Sequence, residues 1–481
     1  MTSHALGQIA KAIAADEASA ENIAYANACM QRLVRIYNQH KAGNDFKTKL
    51  YEGKLGPKDC NLRIAVPREL EDIGVSCEWP AIAVRSLQSR SKIQEIKNPD
   101  GELKASFNRI AKENDLIYKY DKAVIPELKH GCAFGTLALG DNERARIKFH
   151  TASSSAAEWD GEHDRLACGF AIIDSAKFNR DRSYKPSVVN LYLPDAIWVY
   201  RRIDATHWTA EEHPHKMGRC LMVPMCFRPD EERPFGISRI SKSVVYLTKA
   251  AIRAYLRFEV AAELYAAPQR VGLNLDDDTL DALDGNFKAY FGYWLAMAAS
   301  DEEQEGDTRA PEPKIFQLDP PTFQPHVDVL RSLAEAFSAS TGVPLSELGV
   351  RYDNPSSAEA IAMAKESICK EAESLNETNG RAISELILMA HLMNEDRSWS
   401  ELTEQERDIS VKFRNPSTPS IASQADAMVK IASVLDGFSY TRSFLEAMGF
   451  DADEVDTIQS ELKSANVSGD RKSTRLNSSH I

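Results

Sequence analysis

Residues 349–367 read GVRYDNPSSAEAIAMAKES, and the fold turns on the change of character within them. The first part is a short polar loop, the kind of segment that carries function. The second part has the spacing of a helix, which carries architecture. The boundary is marked in two ways. Asn354 followed by Pro355 suits an N-cap and first helical position, where the missing proline N–H costs nothing. Ser356 with Glu359 three residues on suits a capping box instead. Beyond either cap, Ile361, Ile368, Ala372, Leu375, Ile383, Leu386 and Met393 set an apolar stripe. The helix is expected to reach about residue 394, on the order of 55 Å if unbroken, with Asn379-Gly380 as a kink or break.

Two further helices flank an irregular stretch upstream. PFGIS (residues 234–238) opens a helix expected to run to about residue 267, where Pro268 stops it. On it Arg239, Lys242, Tyr246, Lys249, Arg253 and Arg257 recur at intervals of three and four, one cationic stripe holding a tyrosine. Such a run is ordinarily a solvated face; the sharper reading is a surface for another helix or for DNA. A second helix spans roughly residues 326–340, with Val329, Leu330, Leu333 and Phe337 on its apolar side. Its Asp328 and Glu335, seven apart, suit the cationic stripe of a neighbouring copy. Between the helices, residues 269–321 pass from acidic (LNLDDDTLDALD) through aromatic (FKAYFGYWLAMA) to a loop too polar to pack (SDEEQEGDTRAPEPK).

The remainder divides by the same signals. Helical spacing from residue 6 to about 42 (Ile9, Ile13, Met30, Leu33, Val34, Tyr37) ends at the Gly43-Asn44 punctuation. Extended pieces and a short helix with Trp79 and Val84 follow to about residue 100. Between 115 and 225, IKFHTAS, ACGFAIID, SVVNLYLP and AIWVYRRI are short β-rich runs, predicting a mixed α+β region with an antiparallel sheet. Near the carboxyl end a strand-like SVKFRNP precedes small helices over residues 420–435, 440–448 and 452–462. Residues 470–481, DRKSTRLNSSHI, resemble a frame translation of a common sequencing-library adaptor. They are set aside as an adaptor-derived artefact, with the natural terminus expected beyond residue 469. Without them one acid and three bases are lost, and the charge moves from −13 to −15.

Bulk properties narrow the class. At 481 residues, roughly two to four domains are expected. Mean hydropathy is −0.38 and no apolar run is long enough to span a membrane. The first residues lack an apolar signal core, so export is not expected. Eight scattered cysteines with no C-x-x-C pair favour reduced thiols. A net charge of −13 argues against tight phosphate binding but not against DNA that slides.

Known catalytic signatures are missing: no G-x-x-x-x-G-K-[ST], no G-x-S-x-G and no H-E-x-x-H. The best metal candidates, His207, His213, His215, Cys220 and Cys226, have poor zinc spacing and read as surface histidines of a β-turn region. Asp276, Asp277, Asp278, Asp281 and Asp284 fail the EF-hand pattern and read as a solvated acidic face. Ser153, Ser154 and Ser155 look like a loop. No nucleophile, base and orienter assemble.

The order of the pieces resembles that of portal proteins of tailed bacteriophages, especially long-tailed phages of actinobacteria. YEGKLG, EWPAIAV, KHGCAFG with AEWDGEH, NLYLPDAIWVY, RPFGISRIS, EVAAELYAAPQR, TGVPLSELG, NPSSAEAIAMAKE and SVKFRNPSTPSIASQADA with LEAMGFDADEV follow one another from about residue 45 to 460. RPFGISRIS before a helix ending in Ala-Pro, with the later NPSSAEAI, is the most specific combination. The resemblance implies an α+β portal fold assembled as a ring, dodecameric in the virion. Residues 1–233 would be an α/β wing and 234–268 the first stem helix. Residues 269–321 would be a small α/β clip, 322–344 the second stem helix and 345–355 the tunnel loop. Residues 356–398 would be the long wing helix and 399–469 the C-terminal wing and helical crown.

The implied function is the channel at one capsid vertex for DNA packaging and ejection, without catalytic residue, metal or cofactor. The implied partners are the terminase large subunit, the major capsid and scaffolding proteins, a head-completion adaptor and non-specific double-stranded DNA, with no membrane. The implied location is the virion's portal vertex, and the host cytoplasm during assembly. Gly349, Val350, Arg351, Tyr352, Asp353 and Asn354 would form the tunnel loop. Arg351 is the candidate for transient phosphate contact, with a salt bridge to a neighbouring acid as the equal alternative. Arg239, Lys242, Lys249, Arg253 and Arg257 would oppose Asp328 and Glu335 of the next stem. Two other readings stay open: a metal-dependent nucleic-acid-processing enzyme using the acidic cluster, and a non-phage oligomeric scaffold.

Overall fold

Met30, Leu33, Val34 and Tyr37 recur at helical spacing and are all buried in the computed structural model, so the amino-terminal helix forms around them. The structure describes residues 6–16, 20, 22–60, 75–140, 142–177, 184–204, 206–266, 270–275, 294–298, 314–317, 322–350, 358–417, 428–434, 438–448, 450 and 454–462. They fall into two units, Met1–Pro416 and Ser417–Ile481. In the first unit a short 3-10 turn precedes β1 (Ile13–Ala14) and α1 (Ile23–Tyr51). Then come α2 (Trp79–Gln88), β2 (Ile93–Lys97), α3 (Gly101–Glu113) and α4 (Leu116–His130). The β-rich middle follows as β3 (Cys132–Leu139), β4 (Ala145–Thr151), β5 (Ser155–Asp160), β6 (Arg165–Lys177), β7 (Tyr184–Tyr192), β8 (Ala196–Arg202), β9 (Trp208–Pro214) and β10 (Met222–Cys226). Helix α5 (Lys242–Ala266) leads to β11 (Arg270–Leu275), β12 (Trp294–Ala298) and β13 (Lys314–Gln317). The unit closes with α6 (Gln324–Thr341), α7 (Ala358–Asn394), α8 (Glu404–Arg407) and β14 (Ser410–Phe413).

Strands β5 to β9 form an antiparallel meander, and β1 adds parallel to β9 at its edge. Alternation along the strands sends Phe170, Trp198 and Trp208 to the face that α1 covers with Met30, Leu33 and Tyr37. Burying side chains of this size stabilises by about 1.5–3 kcal/mol each. Tyr37 meets Phe170 edge-on at 5.8 Å. A second antiparallel sheet, ordered β10-β3-β4, is the floor of the larger core. Val124, Leu128, Ile147, Met225, Ile383 and Leu386 join α4 and α7 over it. β11 pairs parallel with β12 and antiparallel with β13, and β14 returns to pair antiparallel with β2. In the second unit, helical residues 428–432 and 454–462 accompany α9 (Arg442–Ala447), where Phe438 and Phe444 meet at 5.7 Å.

Three boundaries differ from the sequence reading, each for a packing reason. Helix α1 starts only at Ile23 and does not stop at Gly43-Asn44 but continues to Tyr51. Asn44 is buried and its Nδ2 donates to Ala152 O at 3.1 Å, while Leu50 enters the larger core, so tertiary contacts outweigh the roughly 1 kcal/mol cost of a helical glycine. Helix α7 likewise runs unbroken through Asn379-Gly380. Asn379 is fully buried and holds Glu127 and Tyr120, and a Cβ at Gly380 would stand 3.3 Å from the Phe413 ring of β14. What reads as a breaker is a close approach. Residues 101–130, not assigned as helical from sequence, form α3 and α4, with Asp100 capping α3 by accepting from Glu102 N and Leu103 N.

Candidate functional site

The RPFGISRIS stretch is threaded between the end of β10 and the end of α4. Phe227 N donates to Gly131 O at 3.0 Å, Ile237 N to Phe227 O at 2.9 Å and Arg239 N to Leu128 O at 2.9 Å. Gly236 has φ of +66°, and a Cβ there would overlap the Phe227 carbonyl, so no other residue fits without displacement. The turn delivers Arg239 into the interior at 5% exposure. Its Nε donates to Ala83 O of α2 at 2.7 Å and its Nη2 to Thr341 O at the end of α6 at 2.8 Å. Nη1 pairs with Glu371 of α7, which also takes Arg228 at 2.8 Å. Burial pulls the Arg239 pKa below its usual range, and Glu371 pulls it back up.

Arg239 therefore does not belong to the cationic stripe in which the sequence placed it. Helix α5 begins three residues later, with Ser241 accepting from Val244 N at 3.3 Å, so helical counting from residue 238 started too early. The other stripe residues separate as well. Lys242, Tyr246 and Arg257 are exposed, whereas Lys249 lies over the Phe46 ring at 5.4 Å and Arg253 donates to Cys60 O at 3.4 Å.

Helices α5 and α6 run antiparallel. Phe258 near the end of α5 meets Phe323 and His326 at the start of α6, at 5.3 and 6.3 Å. Asp328 and Glu335 are exposed and bonded within α6, to Gln324 at 2.8 Å and Arg331 at 3.3 Å. Exposed i,i+4 ion pairs are worth only about 0.3–0.5 kcal/mol, so a stronger partner displaces them. Val329 faces outward at 50% exposure, as does Val327 at 48%, in contrast to the expected apolar side. The buried line of α6 runs through Ala334, Phe337 and Thr341, and Val329 falls about 100° off Leu330.

Past α6, Gly342 in the left-handed region leads to a 3-10 turn, Leu345–Leu348, closed by Gly349 at φ +82°. Val350 N returns to Leu345 O at 3.2 Å. Within the turn Glu347 accepts from Ser86 Oγ at 2.5 Å and Arg90 Nη2 at 2.8 Å. Burial opposes ionisation, but these hydrogen bonds hold the Glu347 carboxyl below its usual range. Arg351, Tyr352, Asp353 and Asn354 lie outside the described residues, as do both proposed caps and Ile361's side chain. Both flanks of that loop are thus tied to one place: Glu347 before it to Ser86 and Arg90, and Glu371 after it through Arg239 to Ala83. Sequence reading missed Arg90, Glu347 and Glu371, because a charged residue on a helix gives no sign of a buried partner far away in the chain.

The suspected metal ligands do not converge. His207 pairs with Asp204 at 2.7 Å and His213 with Glu211 at 3.5 Å, while Cys220 and Cys226 are buried. The acidic residues from 276 to 284 lie outside the described residues. Among the described residues, His391, Glu395 and Glu406 bring donor atoms within 4.8 Å of one another. Glu406, however, already accepts from Arg397 and from Thr403 N and Oγ1, which against its burial draw its pKa down to about 2. That cluster is a helix cap stapled to α7, and it needs no ion.

The family described as phage portal protein, SPP1 Gp6-like, matches residues 33–467. The portal protein of Mycobacterium phage D29 is 23% identical over 422 residues, covering 85% of this chain and 83% of its own. That of Mycobacterium phage L5 is 24% identical over 393 residues, covering 80% and 77%. Among solved structures, a chain from the neck of a native gene transfer agent particle computed with C12 symmetry aligns at 10% identity and a TM-score of 0.42, over 82% of this chain and 94% of that one. A chain from the virion of a native gene transfer agent aligns at 10% identity and a TM-score of 0.45, over 84% and 99%.

Proposed function

The chain belongs to the SPP1 Gp6-like family of phage portal proteins, and from that premise we propose that identical copies close into a ring around a DNA channel at the capsid's portal vertex. In this ring residues 1–233 are the wing, and α5 and α6 are the stem helices within 234–268 and 322–344. Residues 269–321 are the clip, 345–355 the tunnel loop, 356–398 the long wing helix and 399–469 the C-terminal wing and crown. The terminase motor docks at the clip and hydrolyses the ATP, while capsid, scaffolding and head-completion proteins meet the other surfaces. The chain is made in the host cytoplasm and carried in the virion.

The observation that carries this reading is the α5–α6 pair. It is an antiparallel column, joined through a small sheet at one end and gripped by Arg239 at the other. It leaves Tyr246, Val327 and Val329 outward beside Lys242, Arg257, Asp328 and Glu335. Apolar groups flanked by both signs of charge suit a head-to-tail contact, which generates a ring when its rotation closes. A channel must also hold DNA weakly, because every neutralised phosphate adds grip, and a net charge of −13 favours that. Arg351 then supplies a transient phosphate contact with Tyr352 beside it.

Electron microscopy of the purified protein is expected to show rings with a central channel. Monomers with metal-dependent nuclease activity would overturn the proposal. Reversing Lys242 and Arg257 to Glu should weaken ring formation, and adding D328K and E335K should restore it; failure of the rescue removes the charge pairing. R351A/Y352A should assemble normally yet impair packaging or DNA retention, and loss of folding instead would make both residues structural.

A further inference from the structure

A cavity of about 760 Å³ opens between α1, the end of α4, strands β3 and β5 and the turn at residues 233–242. Its size suits a small-molecule ligand. His40, Lys47, His130, Arg233 and Lys242 line it, and none of its lining residues is Asp or Glu. That is a marked local imbalance in a chain whose acids outnumber its bases, 71 to 58. Lys47 is half-buried, burial draws its pKa down, and no carboxylate among the described residues pairs with it. His130 is 8% exposed, and burial draws its pKa down to about 3, so it lines the cavity as a neutral imidazole; its Nε2 meets Thr48 Oγ1 at 3.1 Å, and its Nδ1 has no partner among the described residues. The first residue of the 25-residue helix α5, Lys242, also lies on the wall, bringing the positive end of the helix dipole to it. Phe235, half-buried and packed at 6.0 Å on the 2% exposed Phe134, supplies an aromatic part of the lining.

We propose that this cavity binds a phosphate-bearing ligand of nucleotide size, with its phosphates against Lys47, Arg233 and Lys242 and its ring against Phe235. A half-buried cation such as Lys47 is costly unless an anion completes it, the exposed Arg233 and Lys242 stand ready to join that contact, and backbone N–H groups at a helix start favour phosphate in particular. An aromatic wall adds stacking for a base, which a bare anion cannot use. The inference does not rest on the ring reading, since every lining residue comes from one chain.

The test is calorimetric titration of the full-length protein with dATP, deoxyadenosine, inorganic pyrophosphate, sulfate and a short single-stranded oligonucleotide. It is run on wild type, K47Q and K242Q, with each variant's melting temperature as the folding control. Lys242 is exposed, so K242Q keeps the test valid should K47Q fail to fold. The expected result is binding of dATP, weaker binding of pyrophosphate, and none of deoxyadenosine or sulfate at millimolar concentration. Each lysine variant should weaken dATP about tenfold, the loss for a hydrogen bond to a charged group. Equal binding of sulfate (an unselective anion patch), tighter binding of the oligonucleotide (a nucleic-acid surface) or dATP binding unchanged in both variants would each overturn it. So would an absence of dATP binding in wild type, including the case in which an acidic segment of a neighbouring chain already fills the cavity.

Discussion

Replacing Arg239 by alanine tests the node on which the loop and stem arrangement depends. The guanidinium makes three contacts from a side chain only 3% exposed. Two go to the carbonyls of Ala83 and Thr341, at 2.7 and 2.8 Å, and one to Glu371. Leaving a buried acceptor without its donor costs about 1–3 kcal/mol. Breaking a buried ion pair costs about 3–5 kcal/mol when the partner is stranded. Glu371 is not stranded, because Arg228 still reaches it at 2.8 Å from a side chain 59% exposed. The expected loss for R239A is therefore about 4 kcal/mol, most of it from the two carbonyls. R239K keeps the charge but not the planar fork, and is expected to lose about 2 kcal/mol. Pairing R239M with E371M removes both desolvated charges and should recover part of the loss. Equilibrium urea unfolding followed by tryptophan fluorescence reads the effect, with Trp79 packed on Phe337 of the same region at 5.2 Å. A loss below about 1 kcal/mol for R239A, or equal losses for R239A and R239K, would refute the assignment of Arg239 as a geometric clamp.

Two further outcomes follow from the same geometry. G236A combines a left-handed backbone with an overlap on the Phe227 carbonyl and should destabilise by about 2 kcal/mol or more in the same unfolding assay; a neutral result would mean that the turn relaxes freely. Glu127 is fully buried, with Asn379 donating to it at 2.9 Å, and burial pushes its carboxyl up from 4.5 to about 8. Between those values the folded protein holds a proton that the unfolded chain has released. Its stability therefore falls as pH rises from about 4.5 towards 8, by on the order of 5 kcal/mol, whereas E127Q lacks this fall. A difference between wild type and E127Q that stays constant from pH 5 to 9 would exclude Glu127 as its source.

Periodicity revealed those elements that bury one face. The meander strands alternate, α5 and α7 carry apolar residues at three and four, and Pro-Gly punctuation brackets α5, so these were legible. What stayed hidden was every feature decided by a partner distant in sequence. Gly43 and Gly380 look like breakers because a single sequence shows their cost and not the Ala152 carbonyl that takes Asn44 or the strand β14 packed against Gly380. Arg239 fits the helical count of α5 as well as Lys242 does, and only the Phe227–Gly236 contact shows that the chain is still turning there. Glu347 and Glu371 carry no local mark, since their partners lie in α2 and in the turn before α5. The acidic pair Asp328 and Glu335 was visible as chemistry, but the Gln324 and Arg331 contacts within α6 were not weighed against it.

The hidden contacts bear on the segment that opened the sequence reading. The described residues on either side of 351–357 are each tied down by buried or half-buried charge pairs. Here the flanks converge on α2: Glu347 reaches Ser86 and Arg90, and Glu371 reaches Ala83 by way of Arg239. Each clamp lies outside the six residues Gly349 to Asn354, so changes within those six leave both clamps intact. Near its start, α7 is therefore held to the turn before α5 through the Arg239–Glu371 pair. Its buried polar residues, Asn376 and Asn379, then key its rotation against α4 and the Ser91 turn through Tyr120 and Glu127. The position of α7 is thus set by two clamps and one polar network, all of them among the described residues.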